Sequence, residues 1–427
     1  MKAWAWLLAG VVACAISWTY MHRILLPWEH YIDVERGNVK EPMGDLYPRW
    51  VGTRELLLHG LNPYGAEVSH RIQIGFYGHP IEQSYDKPQF EIIDEQRFAY
   101  PVYVVFLLAP TIHIDFAKLQ AWAPVLFGAL TAISVWLWLA VLRWRLPLWL
   151  TTTLVLLILS SPQVAQGLRL RQIGLFVAFL LTLATWCVTR NRLFAAGVLL
   201  AVATIKPQIV SLCLVWFLIW SLGDWKKRWS LVGGFGLALA LLAGAGEILV
   251  RGWVRCFIEG VDAYRRYFPT TSPVRLILGN WIGGGLSVLG VIALLSYAWR
   301  RRKAPAELPE FAQVLSLVFV ASLLLLPLLT PYNQVLLLLP VLMLVHDWEL
   351  LPRWGRAGFF VLIGWPLATS VALLAHPPQL NSLQRTPLLP SVLLLLTPFL
   401  VLWLMFARAT NHLKPSSSGP VDEAASV

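Results

Sequence analysis

Long apolar runs recur along almost the whole chain, and they constrain its fold more than any other feature. A run of about 17 to 25 apolar residues is as long as a helix that crosses a bilayer core. Backbone groups in lipid must pair within the protein, so such runs fold as helices. The sequence therefore predicts an all-α polytopic membrane protein with about twelve transmembrane helices, near residues 3–22, 119–142, 147–161, 173–189, 193–205, 207–222, 229–250, 276–299, 310–328, 332–346, 357–375 and 387–407.

Basic residues fall in short clusters between these runs. Only 13% of the 427 residues are charged, against roughly 25% in soluble domains. The net charge of +11 would otherwise suggest a nucleic-acid partner, but the clusters occupy every second connection, as cytoplasmic loops do. We therefore expect a plasma-membrane protein with an uncleaved N-terminal signal anchor, cytoplasmic termini and an outer loop at 23–97. The basic clusters that indicate this orientation are Arg143/Arg145, Arg190/Arg192, Lys226–Arg228, Arg300–Lys303, Arg353/Arg356 and Arg408/Lys414.

One further apolar stretch, FAYPVYVVFLLAPTI at 98–112, does not fit this alternation. If it crossed the membrane, Arg143 and Arg145 would lie outside, and every later basic cluster would change sides. The stretch has 15 residues, which is short for a span, and it contains Pro101 and Pro110. The alternation of the basic clusters between the two sides therefore predicts a re-entrant or interfacial segment here.

The outer loop at 23–97 is the long polar segment of an otherwise apolar protein. It holds 12 of the 23 acidic residues of the chain, together with the sequences GDLYPRW at 44–50 and HGLNPYG at 59–65. A membrane protein that gathers carboxylates at one water-facing place is expected to use at least one of them.

Several outer connections carry basic residues that the charge rule does not explain. Lys206 lies between two apolar runs, where a charge costs at least roughly 2.5–3.5 kcal/mol near mid-membrane. It either reaches the surface with its long side chain or binds an anion. Arg169 and Arg171 contact either lipid headgroups or a phosphate, which guanidinium groups bind with two parallel hydrogen bonds. The remaining arginines belong either to the same anion site or to a solvated amphipathic loop: Arg251, Arg255, Arg265, Arg266 and Arg275.

Carboxylates and cations at one membrane face suit a reaction between a lipid phosphate and a hydroxyl group. No P-loop, GxSxG, HExxH or Rossmann pattern occurs in a credible context. The glycine runs at 233–236 and 283–285 lie in apolar helices and predict close helix packing. Aromatic side chains are available to line an outer site, namely Tyr47, Trp50, Tyr64, Tyr100, Tyr103, Tyr264 and Tyr267.

With these pieces in order, the chain resembles glycosyltransferase family 87, within the GT-C superfamily of polyprenyl-phosphate-sugar-dependent enzymes. The resemblance covers most of residues 1–345. It differs from the family pattern at Val102, at Arg171 and in the late turn at Asn333–Gln334. The sequences that carry it are GDLYPRW and HGLNPYG at 44–65, AYPVYVVFLLAP at 99–110, RLRQIGLFVAFLL at 169–181, RLFAAGVLLAVATIKPQ at 192–208 and TPYNQVLLLLP at 330–340.

The resemblance implies transfer of a hexose, with mannose favoured, from a polyprenyl-phosphate sugar to a hydroxyl of a lipid-linked or cell-envelope glycan, with inversion. It points to Asp45 as the general base, because a carboxylate that removes the acceptor proton typically raises the rate by about 10²–10⁴-fold. A capping carboxylate at a helix start is the alternative reading of Asp45. Competing candidates for the base are Asp33, Glu41, Glu55 and Asp94.

The remaining site residues follow from the charge of the leaving phosphate, which needs fixed cations. Lys206, Arg169 and Arg171 are predicted to contact the phosphate. The side chains predicted to orient or line the substrates are Gln172, Tyr332, Asn333, Tyr64 and Tyr100. The four cysteines show no metal-ligand spacing and the loop has no DxD motif, so we expect neither a metal nor a cofactor beyond the donor substrate.

Two other classes of membrane protein remain as alternatives. A transporter or flippase of lipid-linked sugars usually places charges or broken helices near the bilayer centre. An O-antigen-ligase or polymerase type of enzyme would carry its long outer loop late in the chain. The expected organisation is one transmembrane domain at 1–410, with its catalytic loop and interfacial helices at 23–112, and a disordered cytoplasmic tail at 411–427.

Overall fold

The apolar runs fold as helices in a computed structural model that describes residues 3–35, 43–81, 94–267, 271–377 and 389–412, and no strand occurs within those ranges. A helix lies on each of the twelve predicted runs. In chain order the helices are α1 (Ala3–Tyr20), which continues as a π-helix (Met21–Leu25), α2 (Leu26–Glu35), α3 (Leu46–His59), α4 (Ala66–Tyr77), α5 (Val104–Leu108), α6 (Phe116–Val141), α7 (Leu148–Leu159), α8 (Pro162–Arg169), α9 (Ile173–Thr189), α10 (Leu193–Ala203), α11 (Pro207–Gly223), α12 (Trp225–Leu249), α13 (Trp253–Tyr267), α14 (Pro273–Leu278), α15 (Asn280–Arg301), α16 (Pro309–Leu325), α17 (Leu338–His346), α18 (Arg353–Ala375) and α19 (Leu389–His412).

Within the described ranges, five helical stretches are long and apolar enough to cross a membrane on their own: Trp4–Trp28, α6, α12, α15 and α18. Helices α7 and α8 form a sixth if they are one span, bent by 64°. Helices α9, α10, α11 and α16 are apolar but have only 10–17 residues. Helix α10 has 11 residues, or about 17 Å at the usual rise, which is less than the roughly 30 Å of a bilayer core. A count of twelve full spans therefore stays a prediction.

Glycines allow neighbouring helices to approach closely. A Cβ atom on Gly197 of α10 would lie 2.1 Å from the Leu231 carbonyl oxygen of α12, and one on Gly234 would lie 2.3 Å from the Phe194 carbonyl oxygen. Farther along, a Cβ on Gly283 would lie 2.6 Å from the Arg275 Cα. The prediction that both glycine runs serve helix packing is therefore confirmed at these positions.

The segment at 98–112 contains only two short helical pieces, α5 with five residues and a 3₁₀ turn, Ala109–Thr111, with three. Together they reach about 12 Å, which is too short to cross a bilayer core. Val102, Val104 and Val105 are fully buried in the protein. Irregular backbone is tolerated at membrane depth where protein surrounds it, so this geometry fits a segment that does not cross.

Three contacts hold that segment against its neighbours. Phe98 packs on Gly52 of α3, where a Cβ would lie 2.3 Å from the ring. Val102 packs on Gly246 of α12 in the same way, at 2.7 Å. The Tyr103 hydroxyl hydrogen-bonds to the Thr204 hydroxyl, at 2.8 Å. The segment thereby connects the outer loop to the connection between α10 and α11.

The C-terminal prediction falls mostly beyond the described ranges. Helix α19 continues through His412, so the first two residues of the predicted tail at 411–427 are helical rather than disordered. Residues 413–427 lie outside the part of the chain that the structure describes.

Candidate active site

The start of α3 is fixed against the turn that joins α8 to α9. Gly44 has a φ of +70°, which disfavours residues with a side chain. A Cβ atom on it would lie 2.8 Å from the Leu170 carbonyl oxygen. The next amide, that of Asp45, donates a hydrogen bond to this same oxygen at 2.9 Å. The glycine of the GDLYPRW sequence therefore sets the position of the half-buried Asp45.

The Asp45 side chain does not cap α3. The residue occupies the cap position, yet its carboxylate makes no capping hydrogen bond. One turn later, Arg49 Nη1 donates to the Asp45 carbonyl oxygen at 2.8 Å. The carboxylate is therefore left for another role, and the alternative reading of Asp45 as a helix cap does not describe this helix.

Arg49 is a site residue that the sequence analysis did not identify. Its guanidinium carbon lies 4.6 Å from the centre of the Tyr100 ring, a distance at which a cation is attracted to the ring face. Its Nε atom is buried and has no hydrogen-bond partner. Residues four apart share a helix face, so the i, i+4 spacing of Asp45 and Arg49 was a signal for this pair.

Lys206 is buried at the start of α11, with 5% of its surface exposed. Its Nζ atom donates to Gln172 Oε1 at 3.0 Å and lies 4.8 Å from the centre of the Tyr332 ring. Gln172 also hydrogen-bonds to the Tyr332 side chain. The lysine therefore does not reach for the protein surface. It is held in the interior, in the α10–α11 connection.

Asn333 lies on the 3₁₀ helix Pro331–Leu337 and brings an unused acceptor to the same place. Its Nδ2 donates to Thr330 Oγ1 at 2.6 Å, and its buried Oδ1 has no partner. A Cβ on Gly174 would lie 3.0 Å from Lys206 Nζ and 3.9 Å from this Oδ1. Lys206 Nζ and Asn333 Oδ1 therefore both lie close to Gly174, at the start of α9.

Electrostatics links Asp45 to both cations. Burial raises the pKa of the Asp45 carboxyl above its ordinary value, while Arg49 and Lys206 oppose this rise. Tyr264 of α13 lies within electrostatic range of Asp45, Arg49 and Tyr332. The site therefore has a half-buried carboxylate within electrostatic range of two cations and of Tyr100, Tyr264 and Tyr332.

The other predicted site residues lie nearby in different roles. The Tyr64 hydroxyl donates to the Tyr100 carbonyl oxygen at 2.6 Å, so it positions the backbone of Tyr100. Arg171 Nε donates to the Gln120 carbonyl oxygen at 3.4 Å. Its Cδ would lie 3.2 Å from a Cβ on Gly44, and its φ is +51°. Arg169 is half-buried within electrostatic range of Arg171.

Among the arginines at 251–275 whose side chains the structure describes, all four are exposed, and the cations that act on the Asp45 carboxyl are Arg49 and Lys206. On α13, the exposed Arg255 pairs with Glu259 at 2.9 Å, and the exposed Arg265 pairs with Asp262 at 3.5 Å. Spacings of three and four residues explain these pairs on one helix face. The alternative of a solvated amphipathic segment describes α13. Arg251 and Arg275 are also exposed, and the Arg266 side chain lies outside the described part of the chain.

The competing carboxylates differ in their surroundings. Glu55 is paired with Arg71 on the α4 side of α3. Asp94 Oδ1 accepts a hydrogen bond from the Gln96 amide at 2.9 Å, yet it lies within electrostatic range of Arg49 and Tyr264. The Asp33 side chain and Glu41 fall outside the described residues. Asp94 is thus the second carboxylate of this neighbourhood.

No group of three His, Cys, Asp or Glu side chains within the described ranges could hold a metal ion.

Comparison with known proteins gives the family. The model of glycosyltransferase family 87 matches residues 98–327, more than half of the chain. The match includes Tyr100, Gln172 and Lys206, whereas Asp45 precedes it and Asn333 follows it. No curated protein and no solved structure matches the chain. An apolar, helical chain with this match belongs to glycosyltransferase family 87 and is a membrane glycosyltransferase.

Proposed function

We propose that the enzyme transfers a hexose, with mannose favoured, from a polyprenyl-phosphate sugar to a hydroxyl group of a lipid-linked or cell-envelope glycan, with inversion. The observation that carries this proposal is the half-buried Asp45, which lies within electrostatic range of both Arg49 and Lys206. A carboxylate next to two cations combines a proton acceptor with a site for a leaving phosphate.

In this mechanism Asp45 removes the proton of the acceptor hydroxyl as its oxygen attacks the anomeric carbon of the donor sugar. The bond from that carbon to the phosphate oxygen breaks, and the phosphate leaves with the bonding electrons. Attack on the face opposite to the phosphate inverts the anomeric configuration. Lys206 and Arg49 stabilise the negative charge that develops on the leaving group.

The two amides support different parts of the donor. Gln172 holds Lys206 Nζ through its Oε1 atom, which fixes the cation before the donor binds. Asn333 offers a buried Oδ1 acceptor without a partner. An amide oxygen cannot donate to a phosphate, so this acceptor suits a sugar hydroxyl.

The outer membrane face is favoured by the charge pattern of the sequence. Basic clusters in alternate connections put both termini in the cytoplasm and the start of α3 outside. A polyprenyl-phosphate donor in the outer leaflet would then present its phosphate near Lys206, at the outer end of α11.

The test is transfer of a radiolabelled sugar from polyprenyl phosphate to a glycan acceptor in proteoliposomes. Asp45→Asn keeps the size of the side chain but cannot accept the proton, so we expect a fall in rate of about 10²–10⁴-fold. Expression and membrane insertion should stay normal. Glu67→Gln is the matched control, because Glu67 is an exposed carboxylate of the same loop.

Near-normal transfer by Asp45→Asn would remove Asp45 from the role of base, and Asp94→Asn would then be the next variant to measure. Movement of the intact donor lipid across the bilayer, without transfer of the labelled sugar, would instead favour the transporter class.

A further inference from the structure

A groove with a volume of about 610 Å³ lies between α3 and the start of α6. This volume is within the range of small-molecule binding sites, roughly 300–1,000 Å³. The residues that matter most among those lining it are three aromatic rings and three polar side chains: Tyr47, Trp50, Phe116, Arg54, His113 and Asp115.

The groove is separate from the Asp45 site. Successive residues of a helix are rotated by about 100°, so Tyr47 and Arg54 lie on the side of α3 opposite to Asp45 and Arg49. The two places are about one helix diameter apart, roughly 10 Å. A ligand in the groove that reached Asp45 would pass around the first turn of α3.

The wall of the groove is aromatic. The Phe116 ring lies 4.8 Å from the Tyr47 ring and 5.2 Å from the Trp50 ring, measured between centres. Arg54 stands over Trp50 at 5.4 Å. Aromatic faces carry a partial negative charge and attract weakly positive C–H groups. Trp50 and Phe116 are buried, so the half-buried Tyr47 is the ring of this cluster that offers contact area to the apolar C–H face of a sugar ring.

The rim of the groove carries both signs of charge. Arg54, His113 and Asp115 are all exposed. One Asp115 oxygen accepts from the Ala117 amide at 2.7 Å, and a carboxylate has further acceptor capacity. A carboxylate beside the ligand opposes an anionic lipid headgroup. Hydroxyl groups donate to a carboxylate and accept from Arg54, so a neutral polyhydroxylated ligand fits both partners.

We propose that this groove binds neutral sugar residues of the acceptor glycan, behind the hydroxyl group that reacts. This inference rests on the proposed transfer to a glycan. Arg171 joins the two places: its Nε donates to the carbonyl oxygen of the groove residue Gln120, and its side chain packs beside Gly44, next to Asp45.

The test is saturation-transfer NMR on the detergent-solubilised enzyme. The probes are the methyl glycosides and disaccharides of glucose, galactose, mannose and arabinose. We expect at least one probe to bind the wild type, and the double variant Arg54→Ala/His113→Ala to bind it roughly tenfold more weakly, as loss of about 1.4 kcal/mol would produce. Lys118→Ala is the control, because Lys118 is exposed on the first turn of α6, close to the groove, but does not line it.

Absence of binding by every probe would overturn the inference, and so would equal binding by the double variant. The inference would also be overturned if, in nanodiscs, phosphatidylglycerol occupied the groove and the sugars did not displace it. A thermal unfolding scan must show that the double variant is folded. Asp45→Asn separates the two proposals. It should bind the sugar probe as the wild type does, whatever effect the substitution has on transfer.

Discussion

A half-buried carboxylate within electrostatic range of an arginine and a lysine titrates differently from one in water. For Asp45, burial raises the carboxyl pKa above its ordinary value of 3.8, and the two cations oppose that rise. A general base works only in its ionised form. Activity should therefore be complete above this raised pKa and should fall as the pH drops through it.

The pH dependence of kcat/KM tests this assignment. We expect an acid limb with a midpoint above that of an ordinary aspartate. Arg49→Gln removes a charge that lowers the Asp45 pKa, so the midpoint should move to higher pH. Arg71→Gln is the control, because Arg71 of α4 pairs with Glu55 of α3 and with Glu67 of α4 and should leave the midpoint unchanged. An unchanged midpoint in Arg49→Gln would contradict the coupling.

Lys206 permits a second prediction at the scale of one residue. Lys206→Met keeps the length and the apolar stem but removes the cation, so the donor phosphate loses a charge-assisted contact worth about 1.5–3 kcal/mol. We expect the KM for the donor to rise roughly ten- to a hundredfold. Lys118→Met, at an exposed position of α6, serves as the control. Unchanged donor affinity would remove Lys206 from the phosphate site.

At the scale of elements, Arg228 belongs to a basic cluster between two apolar runs and also holds helices together. It was assigned only as part of a cytoplasmic cluster, yet it is buried at 9% exposure. Its Nη1 donates to the Trp220 carbonyl at 2.7 Å and to the Arg302 carbonyl at 2.8 Å. The guanidinium thereby joins α11, α12 and the end of α15.

Replacing this guanidinium should loosen those helix ends. Arg228→Ala leaves buried carbonyl groups without donors, which costs about 1–3 kcal/mol for each unsatisfied group. We expect the melting temperature in detergent to fall by several degrees, with partial recovery in Arg228→Lys. Lys227→Ala, at a neighbouring exposed position, should melt like the wild type. Equal melting of Arg228→Ala and Lys227→Ala would refute the structural role.

At the scale of the whole molecule, sidedness follows from whether 98–112 crosses the membrane. Each crossing that is added or removed inverts every later connection. The short helical pieces of this segment and its buried valines favour a segment that returns to the outer face. The Asp45 site and the start of α6 then share one compartment.

Cysteine labelling of intact cells tests this sidedness in a protein whose four native cysteines have been replaced. Asp115→Cys should react with an impermeant maleimide from outside. Lys303→Cys, in a predicted cytoplasmic connection and exposed, should react only after the cells are opened. Labelling of position 115 from the cytoplasm alone would overturn the topology, and with it the outward-facing site.

The local properties of the chain were predictable because they depend on neighbouring residues. A helix lies on each of the twelve apolar runs, because burial of an apolar segment in lipid requires backbone pairing within that segment. The start of α3 at the GDLYPRW sequence was predictable for a similar reason, since a glycine and a proline constrain the backbone around Asp45. Arg255 and Arg265 pair with carboxylates of their own helix. This agrees with the alternative prediction that these arginines belong to a solvated amphipathic loop.

The site itself was decided by contacts between distant segments. Lys206 meets Gln172 across 34 positions of the chain, and Tyr103 meets Thr204 across 101. Composition and local pattern were enough to predict the membrane class, the helices and the residue types available for glycosyl transfer. Tertiary packing decided that Lys206 is buried beside Tyr332 and that Arg49 lies against the Tyr100 ring. Burial and pairing depend on which helices pack together, and long-range packing is not encoded in any local pattern.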